Sequence, residues 1–209
     1  MNQENTRRHF LQRLAALGVV GIGVAVPFLE PAATQAQGPP PPPPPAPPDT
    51  TWKATIIPAD EPGERLVVSG TVFAPDGQHV VAGIFVYAYN TDKQGYYSPD
   101  GRVYPPRLKG YMKTDEEGRF ELHTILPGRY PKMHVPAHIH FTLWGAGYPM
   151  QWVDELRFEG DSYLTDEMRR ESEFRREFAT IRPLTHDRDE VYRCSVKLRL
   201  QEKSNYPVQ

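Results

Sequence analysis

Six short runs of this chain alternate between apolar and polar residues, and that period of two limits the fold more than any other feature. They are RLVVSGTVF (65–73), AGIFVYAYN (82–90), GRFELHTIL (118–126), AHIHFTLW (137–144), QWVDELRF (151–158) and VYRCSVKLRL (191–200). Successive side chains of a strand point to opposite faces, so each run can turn one face to a core and the other outward. β-Branched and aromatic residues fill the runs, and turn sequences such as Pro75-Asp76-Gly77 and Asp115-Glu116-Glu117-Gly118 separate them. One stretch, LTDEMRRESEFRREFA (164–179), reads instead as helix, with Thr165 as its N-cap and Met168, Phe174 and Phe178 near one face. The expectation is a mostly β protein, an antiparallel β-sandwich with one short helix near its C-terminal part.

The remaining sequence assigns this domain to residues 51–209. Residues 1–36 place Arg7 and Arg8 ahead of an apolar run from Leu14 to Leu29, broken by Gly18, Gly21, Gly23 and Pro27, and end in T-Q-A. The run is short for a bilayer span, so the segment reads as an export signal, with an uncleaved anchor as the alternative. Its twin arginine resembles a Tat signal, the route for proteins exported already folded. That implies a periplasmic or secreted protein with no stable membrane span once the signal is removed. Residues 37–50, which include GPPPPPPPAPP (38–48), form a proline-rich linker that favours an extended polyproline II rod. A formal net charge of -2 carries no nucleic-acid footprint. The single cysteine, Cys194, falls on the apolar face of the last run and reads as a buried thiol.

Against that background the segment GRYPKMHVPAHIHF (128–141) is unusual, because it holds three of the seven histidines. His138 and His140 are two apart on a strand and share a face, while Ile139 and Phe141 take the other. Two imidazoles of matched direction make a metal platform, or they hydrogen-bond to neighbours. Tyrosine tips the balance: there are eleven, with Tyr97 in NTDKQGYYSPDG and Tyr130 in PGRYP. A phenol with an ordinary pKa of about 10 loses its proton readily against a hard trivalent cation. Two phenolates and two imidazoles would therefore hold Fe(III) in preference to Fe(II) or zinc.

The order ERLVVSGTVFAPDG, VYAYNTDKQGYY, DEEGRFELHTILPGRYP, VPAHIHF and RFEGD, from about Pro62 to Asp161, resembles the intradiol ring-cleavage dioxygenases, especially the protocatechuate 3,4-dioxygenase branch. The resemblance implies a non-haem Fe(III) enzyme that opens a catecholic ring between its two hydroxylated carbons. It implies Tyr97, Tyr130, His138 and His140 as the metal ligands, with Tyr130 the phenolate that leaves when a substrate binds and Tyr96 the alternative to Tyr97. His134 matches no ligand position.

Two positions depart from the family's pattern. Val135 stands where an arginine usually precedes P-A-H-I-H, and Glu155 stands where glutamine is common near the oxygen pocket. Tyr130, Val135 and Glu155 are thus the candidate catalytic positions. The charge developing on a bound ring must then be met by Lys132, His134 or another cation, or the substrate differs from a simple catechol. The expected partners are a small aromatic diol and dioxygen, with a homo-oligomer possible. A related metalloenzyme of altered chemistry and a noncatalytic ligand-binding sandwich are the alternatives.

Overall fold

The computed structural model describes residues 40–102, 104–186 and 188–206. The twin-arginine segment lies outside the described residues. Among the described residues there are ten strands: β1 (Lys53–Thr55), β2 (Arg65–Phe73), β3 (Phe85–Asn90), β4 (Leu108–Lys113), β5 (Arg119–Ile125), β6 (His138–Gly145), β7 (Tyr148–Phe158), β8 (Ile181–Arg182), β9 (Thr185–His186) and β10 (Tyr192–Arg199). They form two five-stranded sheets, in the orders β1-β5-β2-β10-β9 and β4-β3-β6-β7-β8.

Alternation builds the core between the sheets. Leu66, Val68 and Val72 of β2, Leu122 of β5 and Val196 and Leu198 of β10 meet Val86 and Ala88 of β3, Ile139, Phe141 and Leu143 of β6 and Leu156 of β7. Gly70 has a structural reason: a β-carbon there would lie 2.1 Å from the Phe120 ring, which fills the space instead. Cys194 is buried in this core, and burial pushes its thiol up to about 11.

The expected sandwich is present, but its sheets are mixed rather than antiparallel throughout. β1 runs parallel to β5, β10 to β2 and β8 to β7. The helix α1 spans Asp166–Phe174 and is capped as expected, Thr165 Oγ1 accepting from the Met168 N–H at 3.2 Å. Its apolar face is not the expected one. Phe174 is 88% exposed, whereas Ser172 is buried and accepts from the Ile181 N–H at 2.9 Å. Phe178 follows in a 3-10 turn and packs edge-on against Phe73. The segment RLKGYMK (107–113) contains β4. Part of the proline-rich segment lies against the domain: Pro43 is buried, and Tyr104 and Tyr111 donate hydroxyl hydrogen bonds to the Pro42 and Pro44 carbonyls at 3.3 and 3.0 Å. Among the described residues no helix is long and apolar enough to cross a membrane.

Candidate metal centre

The site lies on the face of the second sheet that turns away from the core. On β6, Ile139 and Phe141 point into the core, so His138 and His140 take the opposite face, where Tyr89 of β3 pairs in register with His140 and stacks on its ring at 4.5 Å. Tyr87, Tyr89 and Tyr97 form a second apolar cluster there, with Tyr111, Tyr130 and Trp144 packed against it.

Two loops bring the phenols to the histidines. Tyr97 follows β3 in a turn organised by Asp92, whose carboxylate accepts from the Gln94 and Tyr96 N–H groups at 2.9 and 3.0 Å. Tyr130 follows β5. The loops touch backbone to backbone: Gly128 N–H donates to the Asp92 carbonyl at 2.9 Å, and Thr91 Oγ1 donates to the Gly128 carbonyl at 2.7 Å. Gly95 and Gly128 permit this approach. A β-carbon at Gly95, whose φ is +89°, would lie 1.8 Å from the Arg129 carbonyl oxygen, and one at Gly128 would lie 2.5 Å from the Gly95 nitrogen. Asp161, in the RFEGD motif, ties the Tyr130 loop to the start of β6. Its carboxylate accepts from Ala137 N–H at 2.9 Å and Arg129 Nε at 3.1 Å. Burial pushes this carboxyl up, but the hydrogen bonds outweigh it and hold the group below its ordinary value.

Four donor atoms converge as a result. The Tyr97 hydroxyl touches the Tyr130 hydroxyl and lies 2.7 Å from His140 Nε2; the Tyr130 hydroxyl lies 2.9 Å from His138 Nε2; the two Nε2 atoms are 3.1 Å apart. Tyr97, His138 and His140 are all buried. Tyr96 is 45% exposed, which makes Tyr97 the phenol of this pair that reaches the cluster.

The electrostatics of the cluster suits a cation. His138 Nδ1 donates to the Pro136 carbonyl at 2.7 Å, so its Nε2 keeps a lone pair aimed at the cluster. Burial depresses both histidines below their ordinary value, opposed at His138 by the charge of Glu155 and reinforced at His140 by His138. Both imidazoles are therefore neutral and available as ligands. Burial likewise raises Tyr97 far above the ordinary phenol value and pushes Tyr130 up to about 12. Phenols in such a pocket give up their protons when a strong positive charge is present to replace them. Two phenols and two neutral imidazoles packed against one another thus fit a hard trivalent ion.

The other expected residues fall around this centre. Val135 is half-buried just before β6. Lys132 and His134 are exposed, and the His134 ring packs edge-on against Tyr163. Glu155 lies on the far side of His140, with Oε1 3.6 Å from Nδ1. His138, His140 and Glu155 form the one histidine and acidic group among the described residues that could hold an ion. The phenols, however, sit on the Nε2 edge of His140 and the carboxylate on its Nδ1 edge, so Glu155 backs the ring and is not a fifth donor to the same ion.

Sequence reasoning missed Arg157. Its Cα is paired with His138, its side chain is mostly buried, and its Nη2 meets Glu155 Oε2 at 2.5 Å. The signal was present, since Glu155 and Arg157 are two apart on one strand and share a face. It was obscured by a bulge: Ile139 pairs with Leu156 and Phe141 with Val153, so both Asp154 and Glu155 stand opposite His140. A groove of about 840 Å³ lies away from this chemistry, beside α1 and Arg199.

A family model described as Dioxygenase matches residues 45–194. Catechol 1,2-dioxygenase 1 of Acinetobacter lwoffii is 30% identical over 150 residues, 63% of this chain and 47% of that protein. The protocatechuate 3,4-dioxygenase beta chain of Burkholderia cepacia is 34% identical over 113 residues, 49% of this chain and 48% of that one. The chain spans about half the length of these relatives. In fold it is similar to the dioxygenase domain of a dioxygenase carbohydrate-binding protein fusion from Streptomyces sp. SirexAA-E, with TM-score 0.55, 22% identity and coverage of 76% of this chain and 94% of that one. It is also similar in fold to 3-chlorocatechol 1,2-dioxygenase of Rhodococcus opacus 1CP, with TM-score 0.57, 22% identity and coverage of 77% and 70%.

Proposed function

We propose, since the chain belongs to the intradiol dioxygenase family, that it holds Fe(III) on Tyr97, Tyr130, His138 and His140 and cleaves catecholic rings between the two hydroxylated carbons, giving muconate-type dicarboxylates. The observation that carries this reading is the meeting of two phenol oxygens and two imidazole nitrogens, borne by separate loops and one strand. Bound Fe(III) supplies a Lewis-acidic, redox-active centre that draws electron density from a catecholate and so opens the ring to dioxygen.

The chain's own groups supply the rest. Tyr130 is half-buried and within reach of an incoming diol, whereas Tyr97 is buried. Tyr130 is therefore the phenol suited to take a proton from an incoming diol, while Tyr97 stays in place. Tyr89 stacked on His140 fixes that ring, and the cluster of Tyr87, Tyr111 and Trp144 behind it excludes water. Arg157 stands beside both histidines with its guanidinium paired to Glu155. The twin arginine ahead of the apolar run supports export of the folded protein, so the enzyme would act outside the cytoplasm.

Metal analysis and a visible spectrum of the purified protein test the site. About one iron per chain with a phenolate-to-iron charge-transfer band is expected, and catechol and protocatechuate should yield ring-opened dicarboxylates. A colourless, zinc-loaded native protein would overturn the reading.

A further inference from the structure

The two histidines are backed differently. His138 Nδ1 donates to the neutral Pro136 carbonyl at 2.7 Å. His140 Nδ1 is buried, makes no hydrogen bond, and faces the Glu155 carboxylate at 3.6 Å. That carboxylate is itself bound by the largely buried Arg157 guanidinium. The β7 bulge produces the arrangement: without its extra residue, alternation from Val153 would turn position 155 toward the core.

An imidazole that gives Nε2 to a metal must carry its proton on Nδ1, and a buried N–H without an acceptor is rare in folded proteins. The acceptor in reach is Glu155, and closing the gap requires less than an ångström of side-chain movement. We propose that Glu155 is a positioning residue for His140: it accepts the Nδ1–H hydrogen bond and makes this one ligand an anion-backed donor, while Arg157 holds the carboxylate in place. Resting as it does on the Fe(III) reading above, the inference adds an asymmetry to that site. His138 is an ordinary imidazole ligand, whereas His140 has partial imidazolate character and favours the trivalent over the divalent state of the ion. Arg157 thus serves a carboxylate and faces the histidines at the same time.

Loading wild-type protein, Glu155→Gln and Glu155→Leu with Fe(III), then measuring affinity by chelator competition, the charge-transfer maximum and the Fe(III)/Fe(II) midpoint potential, tests this. Glutamine keeps an acceptor but removes the charge, so a coloured centre should persist whose preference for Fe(III) over Fe(II) is about tenfold lower, a rise of about 59 mV. Leucine removes the acceptor too and should weaken Fe(III) binding about 10- to 100-fold. Glu155→Leu with Arg157→Met leaves no buried charge unpaired and controls for folding; it should stay as weak as Glu155→Leu. Recovery of wild-type potential in that double variant would show that Glu155 merely neutralises Arg157, and wild-type potential, affinity and colour in Glu155→Gln and Glu155→Leu would equally overturn the proposal. Wild-type protein that takes up no iron would instead sink the Fe(III) reading, and that outcome appears before any variant is made.

Discussion

Changing Gly95 to alanine should damage the metal centre without touching a ligand. The new β-carbon would lie 1.8 Å from the Arg129 carbonyl oxygen and 2.6 Å from its carbonyl carbon, and both are backbone atoms that no rotamer change can move aside. Since β-carbons do not approach other atoms closer than 3.0 Å, the loops must separate by more than 1 Å. Tyr97 lies two residues beyond Gly95 and Tyr130 one residue beyond Arg129, so the separation falls between the two phenols. An alanine at φ +89° adds about 1–2 kcal/mol of backbone strain, and the overpacking adds about 1–3 kcal/mol. A domain stable by about 5–15 kcal/mol survives this cost. The site should not: displacement of reacting groups by about 1 Å costs about 100-fold in rate. Iron content, the charge-transfer band, turnover of catechol and a thermal melt would be measured on the variant. Gly128→Ala separates the two effects, because its β-carbon would meet Gly95 N and Lys93 O at 2.5 Å without a left-handed φ. A Gly95→Ala protein with full iron, the wild-type band and wild-type turnover would refute the claim that this contact sets the phenol spacing.

Three further outcomes are expected. His138 and His140 are held below their ordinary 6.5, chiefly by burial. The unfolded chain therefore takes up protons that the metal-free fold does not, and stability, complete above that pH, should fall as pH drops through it, by up to about 1.4 kcal/mol per pH unit for each histidine; thermal melts of metal-free protein from about pH 7.5 to about pH 5 would check this, and a level profile would contradict it. Tyr130→Phe should leave one phenolate, weaken the visible band and stop ring cleavage, whereas full colour would place the chromophore elsewhere. Arg7→Lys with Arg8→Lys should trap the precursor inside the cell, and undiminished export would indicate an ordinary signal.

Much of the fold was legible because alternation is a local signal. The six runs each contain a strand, and the H-x-H face assignment follows directly from their period. What is non-local was not legible. The parallel pairing of β10 with β2 leaves no trace in either run, and so the sheets looked antiparallel. β4 carries Lys109, Gly110 and Lys113 and so lacks an alternating apolar run, and α1 buries Ser172 while its apolar Phe174 stays exposed. At the site, the residue types that converge could be read from the sequence, but the choice of Tyr97 over Tyr96 depended on a turn held by Asp92. Arg157 was obscured for a different reason: a bulge shifts register by one residue, and register is a property of two strands together.

The position of β10 bears on the order of events during synthesis. It is the last strand of the domain, yet it lies inside its sheet, with all eight residues paired to β2 on one side and its start paired to β9 on the other. A nascent chain that has not reached Tyr192 therefore carries β2 as a bare edge, a species prone to pair with its neighbours. Such long-range closure is slow compared with the formation of local hairpins. The proposed ligands Tyr97, Tyr130, His138 and His140, all encoded before β7 begins, are made well before the sheet that supports them from behind can close. Iron captured early would thus be held by an unfinished domain, and a chain stopped short of β10 should be recognised by proteases and chaperones rather than passed on as a folded protein.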